Sequence, residues 1–273
     1  MSQAELTSRR SATVAAVKRL HTSSGRRDSK TFLVEGPQAL REALTYRADL
    51  HQVYATADAI ARWGELMHAV QASAVETTIV SESVLGAMAE TKSPQGWLAT
   101  CGMGAVSLVD VMATQPQVLV ALDQVSDPGN VGTIIRTADA AGASGVLLTG
   151  ESVDPFNGKC VRSSAGSIFH LPVVPALSVE QLVVAARQHG TVIAATAADG
   201  EVELFEWLDS TTVNNPTLWV FGSEAHGVSA QFQAAAAVRV RIPIHGAAES
   251  LNIASAVAVC LYADADRRRA RLS

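Results

Sequence analysis

The chain has 273 residues, 48% of them hydrophobic and 17% charged, with a formal net charge of −5. That composition supports a sizeable buried core and excludes disorder, and the length predicts one large or two modest domains. No apolar run is long enough to span a membrane. The opening residues, Met1-Ser2-Gln3-Ala4-Glu5, lack the basic-then-apolar order of a signal peptide, so a cytoplasmic protein with no membrane partner is expected.

Residues from about 12 to 106 read as short alternating elements. A basic helix is predicted over 12–20, a strand over 31–35, a helix over 37–46, a strand near 52–55 and a helix over 58–72. A strand over 77–80, a helix over 81–89, a loop at 90–94 and a strand over 95–101 follow. Together they predict a small α/β sandwich, domain 1–106. A polar break at 113–117 marks a linker, 107–117. Domain 118–273 then restarts the pattern with a strand at 118–123, a helix at 131–141, a strand at 145–149 and a helix near 157–168. A strand at 171–174, a helix at 178–189 and strands at 191–196 and 217–222 come next. A short helix at 229–236, a strand at 238–242 and a final helix at 249–266 close the chain. Strands alternating with helices imply a parallel sheet covered on both faces.

Charge is distributed unevenly. Residues 1–47 carry nine Lys/Arg against four Asp/Glu, a net +5, so the remainder carries −10. A basic N-terminal part on an acidic body suits either a solvated helical face or a polyanion-binding module, with Arg26 and Arg27 as candidate phosphate contacts. The three cysteines are far apart in sequence and suit buried thiols better than disulfides or a zinc site. P-loop, dinucleotide-binding and nucleophile-elbow motifs are absent, and the histidines show no metal spacing, so no metal is expected.

Three polar clusters remain, each at the C-terminal end of a predicted strand, where open α/β sheets bind ligands. The first runs from Asp127-Pro128-Gly129-Asn130-Val131-Gly132 to Arg136, with Asn130 placed to cap the helix after it. The second is Gly222-Ser223-Glu224-Ala225-His226-Gly227, where Gly222 permits close approach of a ligand to the backbone. The third is Ile242-Pro243-Ile244-His245-Gly246, continuing to Glu249-Ser250-Leu251-Asn252-Ile253-Ala254-Ser255, with Ser250 as a candidate cap. Taken singly, each reads equally well as an ordinary strand–loop–helix turn. Between the first two, Lys159 and Arg162 lie three apart on one predicted helical face, as RNA-phosphate contacts or as part of a closely packed helix.

In this order the three clusters resemble the motifs of the SpoU (TrmH-like) family of RNA ribose 2′-O-methyltransferases, in the SPOUT superfamily. Asp127 stands where the family commonly has Asn, and Ile244 where it commonly has Met. The resemblance covers about 115–273. The stretch Phe32-Leu33-Val34-Glu35-Gly36 and the helix after it resemble the family's N-terminal substrate-binding domain, an α/β sandwich similar to ribosomal protein L30e.

The resemblance implies a homodimer with a parallel-sheet α/β domain carrying a deep trefoil knot, binding S-adenosylmethionine and acting on RNA, with 23S rRNA the foremost expectation. A transfer-RNA enzyme and a non-catalytic RNA-binding protein of the same fold are the alternatives. It implies cofactor contacts from Thr196, Gly222, Ile242 and Leu251, and catalytic roles for Asn130, Arg136, Glu224, Ser250 and Asn252. Family proposals make the arginine a base. A guanidinium stays protonated in proteins, so orienting the hydroxyl and stabilising an emerging alkoxide is the role chemistry supports.

Overall fold

The structure is a computed structural model and describes residues 5–210, 215–223 and 226–270. The chain forms two compact units. One comprises Met1–Ala105 with Phe156–His170, the other Val106–Pro155 with Leu171–Ser273.

The first unit contains α1 (Ala12–Arg19), α2 (Ser23–Ser29), β1 (Thr31–Glu35), α3 (Pro37–Thr45), β2 (Leu50–Ala55), α4 (Ala57–Arg62) and α5 (Gly64–Ala72). It continues with β3 (Glu76–Ile79), α6 (Glu82–Met88) and β4 (Trp97–Gly102). Its sheet has the order β1-β4-β2-β3, with β4 antiparallel to both neighbours and β2 parallel to β3. Val14 and Val17 of α1 and Val84, Leu85 and Met88 of α6 pack with Leu33, Tyr54 and Leu98 of the sheet.

Three departures from the expected elements have local causes. The helix expected over 58–72 breaks at Trp63, whose backbone (φ −121, ψ 51) is not helical. Helix α2 was not expected, because Ser23–Ser29 has no apolar periodicity; the Thr22 side chain caps it and Lys30 ends it in the left-handed conformation. Residues 107–117 are more than a linker. They hold α7 (Leu108–Ala113), started by a capping box between Ser107 and Asp110, and its Val111 and Met112 join the second unit's core.

The second unit holds α7, β5 (Val118–Asp123), α8 (Pro128–Ala140) and β6 (Val146–Thr149). The chain then supplies α9 (Gly158–Ser163) to the first unit and returns as β7 (Val173–Leu177), α10 (Val179–Gln188) and β8 (Val192–Thr196). Next come β9 (Val202–Glu203), α11 (Leu204–Asp209), β10 (Thr217–Gly222), α12 (Ala230–Ala235), β11 (Val238–Arg241) and α13 (Ile253–Ala270). The expected parallel sheet is present, seven strands in the order β7-β6-β5-β10-β8-β11-β9, every pairing parallel.

Central β10 shows how side-chain alternation builds the two layers. Leu218 and Val220 join the cluster of α7, α10 and α12. Trp219 donates from its indole to Asp264 of α13 at 2.9 Å and meets Trp207 edge-on, with ring centroids 4.9 Å apart. Asp264 is fully buried, and Arg268, one turn later, donates to its other oxygen at 2.7 Å, so the carboxylate is paired.

The excursion Phe156–His170 was expected as part of the C-terminal domain. It is instead anchored by aromatic contacts in the first unit: Phe156 lies 5.0 Å from Phe32, and His170 stacks on Tyr46 at 4.0 Å. Its helix ends early, because Ala165 and Gly166 both take positive φ.

Candidate active site

Helix α8 begins at Pro128, earlier than expected. Its cap is Asp127, whose carboxylate accepts from the Asn130 N–H at 2.8 Å, and not Asn130. The substitution of Asp for the family's common Asn therefore supplies an equally good capping acceptor. The shift also leaves the Asn130 side chain for another partner: its Oδ1 accepts from Asn252 Nδ2 at 3.2 Å. The first and third clusters, 122 residues apart, thus meet.

Asn252 also takes the capping role expected of Ser250. Its Oδ1 accepts from Ala254 N at 2.9 Å and its carbonyl from Ala256 N at 2.9 Å, so the final helix starts at Ile253. Ser250 is left exposed in the preceding loop. Arg136 projects from α8, exposed and without a hydrogen-bond or ion-pair partner among the described residues.

In the second cluster, Gly222 faces the chain's own backbone. A β-carbon there would overlap the Gly227 carbonyl and the Val228 nitrogen. Gly227 takes φ +64 and donates to Ser223 O at 2.8 Å, closing a tight turn. Glu224, expected among the polar site residues, lies outside the described residues.

Thr196, Gly222, Ile242, Ser250 and Leu251 line one cleft of about 750 Å³ at the C-terminal ends of β8, β10 and β11. Four of the five are the expected cofactor contacts: Thr196 and Gly222 end β8 and β10, and Ile242 and Leu251 lie in the segment between β11 and α13. The walls are apolar, from Phe221, Val240 and Ile253, and Glu249 is the one charged residue among the described lining residues. The Thr196 hydroxyl donates to Val220 O at 3.0 Å and ties β8 to β10 below the cleft. A mostly apolar cavity with strand-end polar groups and a single carboxylate suits a planar heterocycle carrying a nearby positive charge.

One residue of this region was not anticipated. Asp123, at the end of β5, is buried; one carboxylate oxygen accepts from Thr149 Oγ1 at 2.9 Å and the other from Ser229 N at 2.8 Å. It fastens the segment after Gly227 to the central strand. A carboxylate ending an otherwise apolar central strand was the sequence signal for it.

The expected RNA contacts divide. Arg27 is exposed and donates to Ser23 Oγ at 2.9 Å, and Lys159 is exposed. Arg26 is 2% exposed and donates to the Leu20 carbonyl at 2.8 Å, a structural arginine rather than a surface contact. Arg162 is paired with Glu35 at 3.0 Å and Glu90 at 3.3 Å. Two carboxylates on one guanidinium leave that cluster net negative, which disfavours the phosphate role expected of it. All three cysteines are buried and none is in a disulfide.

A family model described as the SpoU rRNA Methylase family matches residues 117–262, more than half of the chain. The chain belongs to this family. A second model, the MRM3-like substrate binding domain, matches residues 12–99 of this SpoU-family chain. The chain is similar to the 23S rRNA (guanosine(2553)-2′-O)-methyltransferase RlmP of Bacillus subtilis, at 33% identity over 90% of this chain and 92% of that protein. It is equally similar to the 23S rRNA (uridine(2479)-2′-O)-methyltransferase of Streptomyces viridochromogenes, at 33% over 90% and 87%. Among solved structures it is similar to the AdoMet-bound rRNA methyltransferase from Sinorhizobium meliloti, at 30% identity and a TM-score of 0.85, covering 99% of each chain.

Proposed function

We propose that this chain methylates a ribose 2′-hydroxyl of 23S rRNA, using S-adenosylmethionine, in the cytoplasm. The carrying observation is the convergence of Thr196, Gly222, Ile242 and Leu251 on one cleft, with Asn252 of the same loop bonded to Asn130. Family membership and relatives named as 23S rRNA 2′-O-methyltransferases support the activity, and the AdoMet-bound relative supports the cofactor.

Bound in the cleft, the cofactor supplies an electrophilic methyl group on a sulfonium. Thr196, Gly222, Ile242 and Leu251 would hold it, and Glu249 would complement its charge. Arg136 orients the ribose hydroxyl and an adjacent phosphate, and stabilises the oxyanion character that develops on the attacking oxygen. Asn130, fixed by Asn252, would hold the ribose or Arg136; Glu224 would orient Asn130 or Arg136, and Ser250 and Asn252 would complete the polar rim. Arg27 and Lys159 contact RNA phosphates. The first unit acts as the substrate-binding domain in an L30e-like fold, and the second carries the deep trefoil knot and forms a homodimer, as the family resemblance implies. The match of residues 12–99 to a substrate binding domain supports the role of the first unit, and the TM-score of 0.85 to the AdoMet-bound rRNA methyltransferase from Sinorhizobium meliloti supports the fold class.

The test is incubation of the purified chain with S-adenosylmethionine and transcribed 23S rRNA, followed by nucleoside mass spectrometry. A new 2′-O-methylnucleoside is expected, and Arg136→Ala is expected to lower its formation at least about a hundredfold with cofactor affinity unchanged. No 2′-O-methylnucleoside in 23S rRNA, transfer RNA or total RNA would overturn the reading. A large loss of cofactor binding in Arg136→Ala would move that residue out of its role.

A further inference from the structure

The first unit has a cleft of its own, of about 820 Å³, lined in part by Glu35, Thr91, Ser93, Gln95, Trp97 and Arg162. The Glu35 carboxylate builds one wall. It accepts from Glu90 N at 3.1 Å, Thr91 N at 3.3 Å, Thr91 Oγ1 at 2.9 Å and Arg162 at 3.0 Å, and so fixes the loop 90–94 against the excursion helix α9. Gly36 follows with φ +94, and the Gln95 amide oxygen lies so close that a β-carbon at residue 36 would press on it at 3.2 Å. Gln95 is exposed, and neither its amide nor the Ser93 hydroxyl has a hydrogen-bond partner among the described residues. Trp97, 1% exposed, carries an indole N–H that is likewise without a partner among them.

Charge decides which part of an RNA this cleft suits. The charged lining residues are Glu35 and Arg162, and Arg162 is already paired with Glu35 and Glu90, so a phosphate would face a carboxylate with no uncommitted cation in the described lining. An uncharged heterocycle carrying both donors and acceptors meets no such penalty. It finds unused donors and acceptors in Gln95 and Ser93, with Ala39, Pro94 and Ala165 as apolar walls. RNA-binding proteins read sequence at unpaired bases through such edge-on hydrogen bonds.

We propose that this cleft receives one unpaired base of the RNA substrate, with Gln95 as the residue that reads its edge and Glu35 as the positioning residue that holds the loop and Arg162 around it. The proposal rests on the RNA-methyltransferase reading and adds to it a second point of sequence recognition, away from the methylated ribose.

The test measures binding of the full chain to transcribed 23S rRNA across a salt series, for the wild type and for Gln95→Ala and Gln95→Glu. Gln95 is exposed, so both variants are expected to keep the wild-type melting temperature. Loss of a base contact should weaken binding on the order of three- to tenfold while leaving the slope of log K against log salt unchanged, because no counterion-releasing contact is lost. Unchanged affinity in both variants overturns the base cleft. Weaker binding of Gln95→Ala with a flatter slope also overturns it, by assigning the site to phosphate. Methyl transfer by the wild type to the same transcript tests the parent reading separately: an active enzyme whose Gln95 variants bind normally refutes the cleft alone. Absence of wild-type binding and methyl transfer refutes both.

Discussion

Asn252 donates from Nδ2 to Asn130 Oδ1 at 3.2 Å while its own Oδ1 caps α13 through Ala254 N at 2.9 Å. One amide thus does two separable jobs, starting a helix and fixing a site residue on another. Asn252→Ala should cost about 1 kcal/mol of stability through the lost cap and should also reduce methyl transfer. Asn252→Ser restores a capping oxygen but cannot reach Asn130 with an N–H. It should therefore regain stability in urea unfolding and stay impaired in single-turnover methyl transfer. Equal recovery of both would mean that the bond to Asn130 has no role in the reaction.

Neighbouring arginines in α2 should behave in opposite ways. Arg27 lies on the surface, so Arg27→Gln should leave stability unchanged and reduce the salt slope of RNA binding by about 1, the loss of one phosphate contact. Arg26 is buried with its guanidinium on the Leu20 carbonyl. Arg26→Gln should cost about 2 kcal/mol, because a buried acceptor loses its charged donor. Urea midpoints and salt series on the two variants check the contrast, and a salt effect at residue 26 would refute it.

The arginine pair shows where sequence reading stops. Local pattern was enough for β1 and β10, whose apolar runs carry their own turn signals and have the expected bounds, 31–35 and 217–222. The four residues that the family resemblance named, Thr196, Gly222, Ile242 and Leu251, line one cleft because the C-terminal ends of β8, β10 and β11 are neighbours in the sheet. Local pattern could not separate Arg26 from Arg27, since what buries Arg26 is the path of the chain at Leu20. Nor could it assign Phe156–His170 to the first unit, since sequence order puts that stretch among the strands of the second. The S-x-x-D box at Ser107–Asp110 was a legible helix start, masked by the polar residues at 113–117.

Buried thiols give the protein a defined alkaline limit. Burial, with Asp49 nearby, pushes the Cys101 thiol from its ordinary value near 9 up to about 12. Burial beside Asp264 raises Cys260 as well. A raised folded value means the unfolded chain releases its proton first, so this contribution is complete below about pH 9 and is lost as pH rises toward about 12. Stability should therefore fall between pH 9 and 11 by up to about 1.4 kcal/mol per pH unit for each thiol. Cys101→Ala with Cys260→Ala should flatten that slope in urea titrations. An unchanged slope in the double variant would assign the alkaline loss to other groups.

Asp123 sets the last test, because its side chain does not line the cleft, yet it pairs across the sheet with Gly222 and holds the turn behind it. Its two oxygens accept from Thr149 Oγ1 and Ser229 N, and Ser229 follows the Gly227–Val228 backbone that lies against Gly222. Asp123→Ala would leave the part-buried Ser229 N–H without its acceptor and the Thr149 hydroxyl with only the longer bond to Leu122 O at 3.4 Å, at a cost of about 2 kcal/mol, and would release that backbone from β5. S-adenosylmethionine affinity should then fall more than the turnover of saturated enzyme. Asp123→Asn keeps the shape and one acceptor, so it should recover much of the cofactor affinity. A variant whose turnover falls while cofactor affinity stays at the wild-type level would place Asp123 in the chemistry itself, and would overturn the positioning role.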